Sequence, residues 1–266
     1  MKSFKFSFFL VTLLIASAKS YAGPAFTTID SADLEKITQD FSAHFAHRTV
    51  TGAESYGNIF GFEVGLLGGS TQTPQINTIS EASGGGSLSS LIQAGLMAGV
   101  SIPFGLTFEY AFLPQVNQSG VDFKWSSAAL KWQLNDLIPV LPINLALKLA
   151  SSSTDLSFEQ TVLAATGKVT STTQVTEIGL YLSPAIPIFE PYVGLSTLSS
   201  TGKLNYQGTG TIFDSALTTS NQAETSPQST KLTLGALVNL GLLKFGAEYV
   251  SLYNTSGYSA KLSFGF

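Results

Sequence analysis

From Ile59 to the last residue, apolar and polar positions alternate with period two. Phe60, Phe62, Val64 and Leu66 stand against Gly61, Glu63 and Gly65, and Ile92, Ala94, Leu96, Ala98, Val100 and Ile102 against Gln93, Gly95 and Gly99. After a tight Pro-Phe-Gly turn the pattern resumes with Leu106, Phe108, Tyr110 and Phe112 against Thr107, Glu109 and Ala111. Six further stretches repeat it, led by Leu130 and Trp132, Leu145 and Leu147, Ile178 and Leu180, Val193 and Leu195, Leu232 and Leu234, and Phe245 and Tyr249. The chain stops on "GYSAKLSFGF", with Tyr258, Ala260, Leu262, Phe264 and Phe266 on one face and Ser259, Lys261, Ser263 and Gly265 on the other. Each such stretch predicts a strand with one oily and one polar face. Ten strands result, with a range of eight to twelve, because "LSFEQTVLAATGKVTSTT" and "GKLNYQGTGTIF" fit either hairpin arms or an extra pair. Loops with Pro114, Asn117 and Gly120, over the Ser/Thr-rich segment after Leu149, and over about 200–229 separate them.

One segment has another period. In "TTIDSADLEKITQDFSAHFAHR", Asp30 or Ser31 can cap a helix, and Leu34, Ile37, Phe41 and Phe45 recur every three to four residues. An amphipathic helix and a Gly/Ser-containing linker therefore precede the strands. Ahead of it, Lys2 and Lys5, the apolar "FSFFLVTLLIASA" and "SYA" before Gly23 have the form of an export signal cleaved after Ala22. The domain plan is 1–22 signal peptide, 23–56 helix and linker, 57–266 barrel.

Composition decides what the oily faces meet. Only 11% of the residues are charged, against about 25% in ordinary soluble domains. Mean hydropathy is nevertheless only +0.27, and no apolar run after the signal approaches the roughly 20 residues of a membrane helix. A soluble β-sandwich would also alternate, but its outward face would carry charge; here the second face is Gly, Ser, Thr and Asn with occasional Lys and Glu. The pattern predicts an all-β chain, a transmembrane antiparallel up-and-down barrel with lipid on the oily face. Loop lengths also alternate, which places short turns in the periplasm and long loops outside. Removing Lys2, Lys5 and Lys19 from 13 basic residues leaves 10 against 17 acidic, about −7. That balance excludes nucleic acid as a partner, and the absence of cysteine excludes a disulfide framework.

The last strand, "YSAKLSFGF", resembles the C-terminal recognition signal of bacterial outer-membrane β-barrel proteins. The resemblance implies that Tyr258, Leu262, Phe264 and Phe266 form an assembly signal, with the outer-membrane assembly machinery, lipid and lipopolysaccharide as partners. The helix ahead of the barrel is similar, in architecture only, to the N-terminal hatch of outer-membrane long-chain fatty-acid transporters. On that likeness Leu34, Ile37, Phe41 and Phe45 plug the lumen from the periplasmic side. The alternative is a helix that tethers the barrel from the periplasm.

With the oily face outward, Glu63, Glu109, Glu177 and Glu248 face inward beside Lys131, Lys148, Lys244 and Lys261. Such groups either pair into a network that seals the barrel or form a charged constriction; ten strands leave a small lumen, which favours a sealed or narrow one. Inward glycines relieve crowding or make room for an occupant. Phe60, Tyr110, Trp132, Tyr249, Tyr258 and Phe266 suit aromatic girdles. His44 and His47 are the only histidines, both ahead of the strands; they suggest a polar helix end with Arg48 at the dipole, not a metal site. Without a histidine on the wall an enzyme is not expected, nor is a cofactor. The resulting expectation is a narrow channel or binding and passage protein for small molecules, apolar ones included. Its alternative is a sealed structural or adhesive barrel acting through Ser/Thr-rich extracellular loops.

Overall fold

The computed structural model describes residues 29–57, 59–84, 86–118, 121–135, 143–162, 165–186, 188–208, 212–213 and 222–266. The expected signal peptide over 1–22 and its cleavage site lie outside them. Ten strands close one antiparallel barrel: β1 (Gly61–Gln72), β2 (Ser90–Ile102), β3 (Leu106–Gln118), β4 (Val121–Gln133), β5 (Ile143–Val162), β6 (Ala165–Pro184), β7 (Phe189–Gln207), β9 (Gln228–Leu240), β10 (Leu243–Leu252) and β11 (Thr255–Gly265). Each pairs with its neighbour in sequence, apart from β8 (Gln222–Thr225), which adds to β7 outside the closed ring. The seam joins β1 to β11, from Glu63 opposite Gly265 to Thr71 opposite Gly257.

Tight connections fix the register where the sequence allows left-handed backbone. Phe104 and Gly105 have φ of 72° and 71° between β2 and β3, and Tyr253 and Asn254 have 53° and 59° between β10 and β11. Between β10 and β11 the two form a two-residue hairpin loop, whose twist matches that of the strands, whereas the loop between β2 and β3 has three residues, Pro103, Phe104 and Gly105.

Burial is inverted relative to a soluble protein. On the outside Leu180 is 51% exposed and Leu195 59%, while Glu109 and Lys131 inside are both 0% exposed. This is what alternation produces when the oily face meets lipid and the polar face turns inward.

Four features differ from the sequence expectation. The Ser/Thr-rich segment after Leu149 is not a loop but continues as hairpin arms, one of the two forms open to "LSFEQTVLAATGKVTSTT": β5 and β6 run for 20 residues each and β7 for 19. The segment with Pro114 and Asn117 is likewise strand, with a bulge between Leu113 and Val116 that takes the proline out of the ladder. The first long connection holds a helix, Pro74–Ala82. It is α2, and α1 is the helix Ser31–Phe45.

The fourth difference concerns α1, which lies at the end of the barrel that carries the long connections, not at the short-turn end. Ile29 donates its N–H to the Ile212 carbonyl at 2.7 Å and bridges Phe213 in the connection after β7. Asp30 caps the helix by accepting from Asp33 N–H at 2.7 Å. A chain entering there must cross the whole lumen to begin β1 at the far end, and residues 46–57 do so.

The long strands explain how an apolar helix fits over a polar lumen. Along the first part of β5–β7 the outward residues are apolar, among them Leu145, Leu147, Leu149, Ile178, Leu180, Val193 and Leu195. Beyond Leu149, Ile178 and Leu195 the outward positions become Ser151, Ser153, Thr176, Thr197 and Ser199, while Val169, Val175, Leu198, Leu204 and Tyr206 turn inward and are buried. The faces exchange chemistry without changing period. Above the lipid-facing belt the wall is therefore polar outside and apolar inside, a vestibule that accepts the oily side of α1.

Candidate functional site

Leu34, Ile37, Phe41 and Phe45 of α1 are all buried in this vestibule, packed with Ile76 and Ile79 of α2, Trp125 of β4, and Val169, Leu204 and Tyr206 of the extended wall. The Phe45 ring lies 5.9 Å from Phe41 and 5.3 Å from Phe123, and Trp125 Nε1 donates to the Phe45 carbonyl at 3.1 Å. Gly202 lets the helix approach β7, since a Cβ there would collide with the Thr38 side chain. Asp40 ties the two helices together. Its Oδ2 accepts from Gln75 and Ile76 N–H at 2.9 and 2.8 Å, and its Oδ1 from Thr255 Oγ1 at 3.2 Å. Thr73 gives α2 no side-chain cap, so Asp40 supplies one from the other helix. Burial pushes the Asp40 carboxyl up to about 6, and those donors pull it partly back down.

Below the vestibule the chain threads the lumen. Its centre is Glu109 on β3, which meets Lys148 Nζ at 2.9 Å and Lys131 Nζ at 3.5 Å. The same carboxylate accepts from Thr49 Oγ1 at 2.5 Å and Thr51 Oγ1 at 2.8 Å. Lys131 also donates to the carbonyls of Gly52 and Glu54, at 2.9 and 2.8 Å. Between the two threonines Val50 takes a left-handed φ of 52°, unusual for a β-branched residue, and is buried with Ala53 against Ala146, Tyr181, Tyr192 and Leu237. Farther down, Ser55 N–H donates to Gln133 Oε1 at 2.8 Å and Tyr56 N–H to Ser101 Oγ at 2.9 Å. The Tyr56 ring lies 5.3 Å from Lys244 Nζ and 5.6 Å from Lys131 Nζ, within cation–π range.

The other inward charges form separate groups. Glu63 meets Lys261 at 2.5 Å and Lys244 at 3.4 Å. Glu177 meets Lys231 at 2.5 Å and accepts from Tyr181 OH at 3.3 Å. Glu248 accepts from Tyr192 OH at 2.9 Å, and among the described residues no lysine forms an ion pair with it. Glu190 accepts from Ser183 Oγ at 2.7 Å and from Glu54 N–H at 3.2 Å. Sequence reasoning missed Lys231 and Glu190. Lys231 stands two positions before Thr233 on the inward phase of β9, so running the alternation back one step finds it; Glu190 was hidden in a Pro-rich turn. Tyr258, Leu262, Phe264 and Phe266 of the last strand are all exposed on the outer face.

His47 and Arg48 were also assigned elsewhere, to a polar helix end, but the thread carries both inside. His47 Nδ1 lies 3.0 Å from Ser127 Oγ and Nε2 lies 3.1 Å from Glu109 Oε2. A neutral ring with its hydrogen on Nε2 satisfies both. Ser127, His47 and Glu109 thus have the connectivity of a hydrolytic triad, which the absence of histidine on the strands could not foretell. The acid, however, is held by two lysines and two threonines, and the His47 and Glu109 side chains are 1% and 0% exposed, with Ser127 equally enclosed. In this packing a substrate cannot reach the hydroxyl, and the three act as a pin between thread and wall.

The profile of a protein family described as "Family of unknown function (DUF6588)" matches residues 2–266. No curated protein matches significantly. Among solved structures, similarity extends to the translocator domain of the autotransporter NalP from Neisseria meningitidis, with 11% identity over 88% of this chain and 95% of that one and a TM-score of 0.44. The outer membrane protease OmpT from Escherichia coli has 11% identity over 80% and 100%, with a TM-score of 0.41. Ail, the attachment invasion locus protein of Yersinia pestis, has 10% identity over 79% and 100%, with a TM-score of 0.36.

Proposed function

The chain belongs to that family of unknown function, which hands down no activity, and we propose that it is an outer-membrane barrel sealed by its own N-terminal segment, acting through the polar wall and loops at its vestibule end. The observation that carries this reading is the path of residues 46–57. They occupy the lumen from end to end, and Glu109 and Lys131, neighbours on the paired strands β3 and β4, hold their side chains and carbonyls. A solute would have to displace buried, charge-assisted hydrogen bonds at several levels at once. The short-turn end then faces the periplasm and the vestibule the exterior, which presents Ser151, Ser153, Thr176, Thr197 and Ser199 to the surroundings.

Planar-bilayer recording of the full mature chain tests the proposal. Silence at high salt is the expected result. Discrete conductance steps from the intact chain would overturn it in favour of the passage of small solutes.

A further inference from the structure

We propose that a small cavity beside Arg48 binds a single monatomic anion of the halide class, which ties the N-terminal segment to the barrel wall. The inference rests on the reading of that segment as a seal and adds what holds its upper half.

Arg48 stands apart from the other buried cations. Lys131 and Lys148 touch Glu109, Lys231 touches Glu177 and Lys261 touches Glu63. Arg48 is 4% exposed, yet among the described residues no carboxylate forms an ion pair with it. Its Nη1 donates to Thr71 Oγ1 at 3.0 Å and Ser259 Oγ at 3.5 Å, its Nη2 donates to the Ala43 carbonyl, and its Nε has no partner. Glu248 and Glu177 act on it only through space. A guanidinium stays charged and offers five donors, so a buried one without an anion carries a large desolvation penalty.

The cavity supplies a place for the missing charge. It measures about 10 Å³ and is bordered by Arg48, Gln93, Ser259, Trp125 and Leu67. Gln93 Nε2 is buried and, like Arg48 Nε, has no partner among the described residues, whereas Trp125 N–H is already spent on the Phe45 carbonyl. No carboxylate lines the space. The site is built around a glycine: a Cβ on Gly257 would lie 2.8 Å from both Nη atoms, so the guanidinium rests on bare backbone there. A volume of that order holds one sphere of about the size of water, which excludes phosphate, sulfate and carboxylates, while a halide, somewhat larger than water, enters as the Gln93 side chain gives slightly. A water would accept from both donors, but it brings no charge and would need acceptors for its own hydrogens. A halide accepts only and neutralises Arg48. It would join the thread, through Arg48, to β2 through Gln93 and to β11 through Ser259.

The test compares thermal unfolding of the full-length protein in detergent in sodium chloride, bromide and gluconate at equal ionic strength. Chloride and bromide are expected to raise the midpoint saturably over gluconate. Gln93→Leu should abolish most of that response. Gln93→Glu, which brings the negative charge within the chain, should raise the midpoint in gluconate and remove the halide effect, an outcome that a purely structural role for Gln93 does not produce. Crystals grown in bromide should show one anomalous peak between Arg48 Nε and Gln93 Nε2. Equal midpoints in all three salts, or an ordered water in place of the peak, would overturn the proposal. Bilayer silence separates the two readings: a conducting chain that still binds bromide refutes the seal alone, and a silent chain without bromide refutes the anion alone.

Discussion

Glu109 on β3 and Lys148 on β5 meet at 2.9 Å inside a wall whose outer face is leucine and isoleucine. Neither residue faces water, and the same carboxylate accepts from Thr49 and Thr51 of the threading segment. The pair therefore does two things at once: it neutralises the centre of the lumen and anchors the chain that fills it.

Removing Glu109 leaves Lys131 and Lys148 buried side by side without their counter-charge. Breaking a buried pair from one side costs about 3–5 kcal/mol, so Glu109→Gln should markedly lower the denaturant midpoint of the refolded barrel. Adding Lys131→Met and Lys148→Met should recover much of the loss, because no buried charge is then left without its partner. An unchanged midpoint in the single variant would show that water reaches the site.

The vestibule should respond separately from the belt. Ile37 is 2% exposed against the extended wall, and Ile37→Asp places a carboxylate there without a partner. The expected result is release of α1, read as new tryptic cleavage after Lys36, while the folded barrel still migrates anomalously on unheated gels. Loss of both together would mean that α1 and the belt unfold as one unit.

The belt was legible in the sequence because lipid imposes one rule on every outward position that it touches, from Phe62 on the first strand to Phe264 on the last. The vestibule was not, since there the rule reverses: Val175 is buried inside three residues before Ile178 faces out. A run such as "TSTTQVTEIG" then contains both phases, and its polar outward face looks like a loop. The amphipathic period of α1 was equally plain, but the end of the barrel it occupies depends on Ile29 meeting Ile212, a pairing that no local pattern encodes. The threading segment shows the same limit. His47 and Arg48 follow a helix directly, so the helix dipole offered a sufficient local explanation, whereas their actual partners, Glu109, Ser127, Thr71 and Ser259, are distant in sequence.

Asp40 gives the vestibule a pH dependence of defined sign. Its folded carboxyl titrates at about 6, above the roughly 3.9 of an unfolded aspartate. The folded state thus holds the proton more tightly, and this group's contribution is complete below about pH 4 and lost as pH rises through about 6. Thermal unfolding between pH 4.5 and 7.5 should show a decline with rising pH that is smaller in Asp40→Asn. An identical slope in both proteins would remove Asp40 as its source.

Orientation can be read with single cysteines, because the chain has none of its own. Ser153 is exposed on β5 beyond the apolar belt, and Leu180 is exposed within it. On intact cells a membrane-impermeant maleimide should label Ser153→Cys and spare Leu180→Cys. Labelling of Leu180→Cys in cells would contradict a lipid-facing belt; labelling of Ser153→Cys only after lysis would reverse the orientation.

Phe266, expected to belong to an assembly signal, contributes to closure of the seam. Phe62 N–H donates to the Phe266 carbonyl at 2.8 Å, Phe266 N–H donates to the Phe62 carbonyl at 3.0 Å, and the two rings meet edge-on at 4.6 Å. Two backbone bonds at about 1 kcal/mol each and an aromatic pair at about 0.5–1.5 kcal/mol put the loss on deleting Phe266 at about 2–4 kcal/mol, concentrated where β1 meets β11. Phe266→Ala keeps the backbone bonds and removes only the ring. If the residue acts through the seam alone, the substitution should be much milder than the deletion in refolding assays and in cells alike. If it is also read during assembly, Phe266→Ala should refold nearly normally into lipid vesicles yet accumulate poorly in the outer membrane. Comparing refolding yield with membrane abundance for the two variants separates those roles, and normal abundance of Phe266→Ala would remove the terminal ring from the assembly signal.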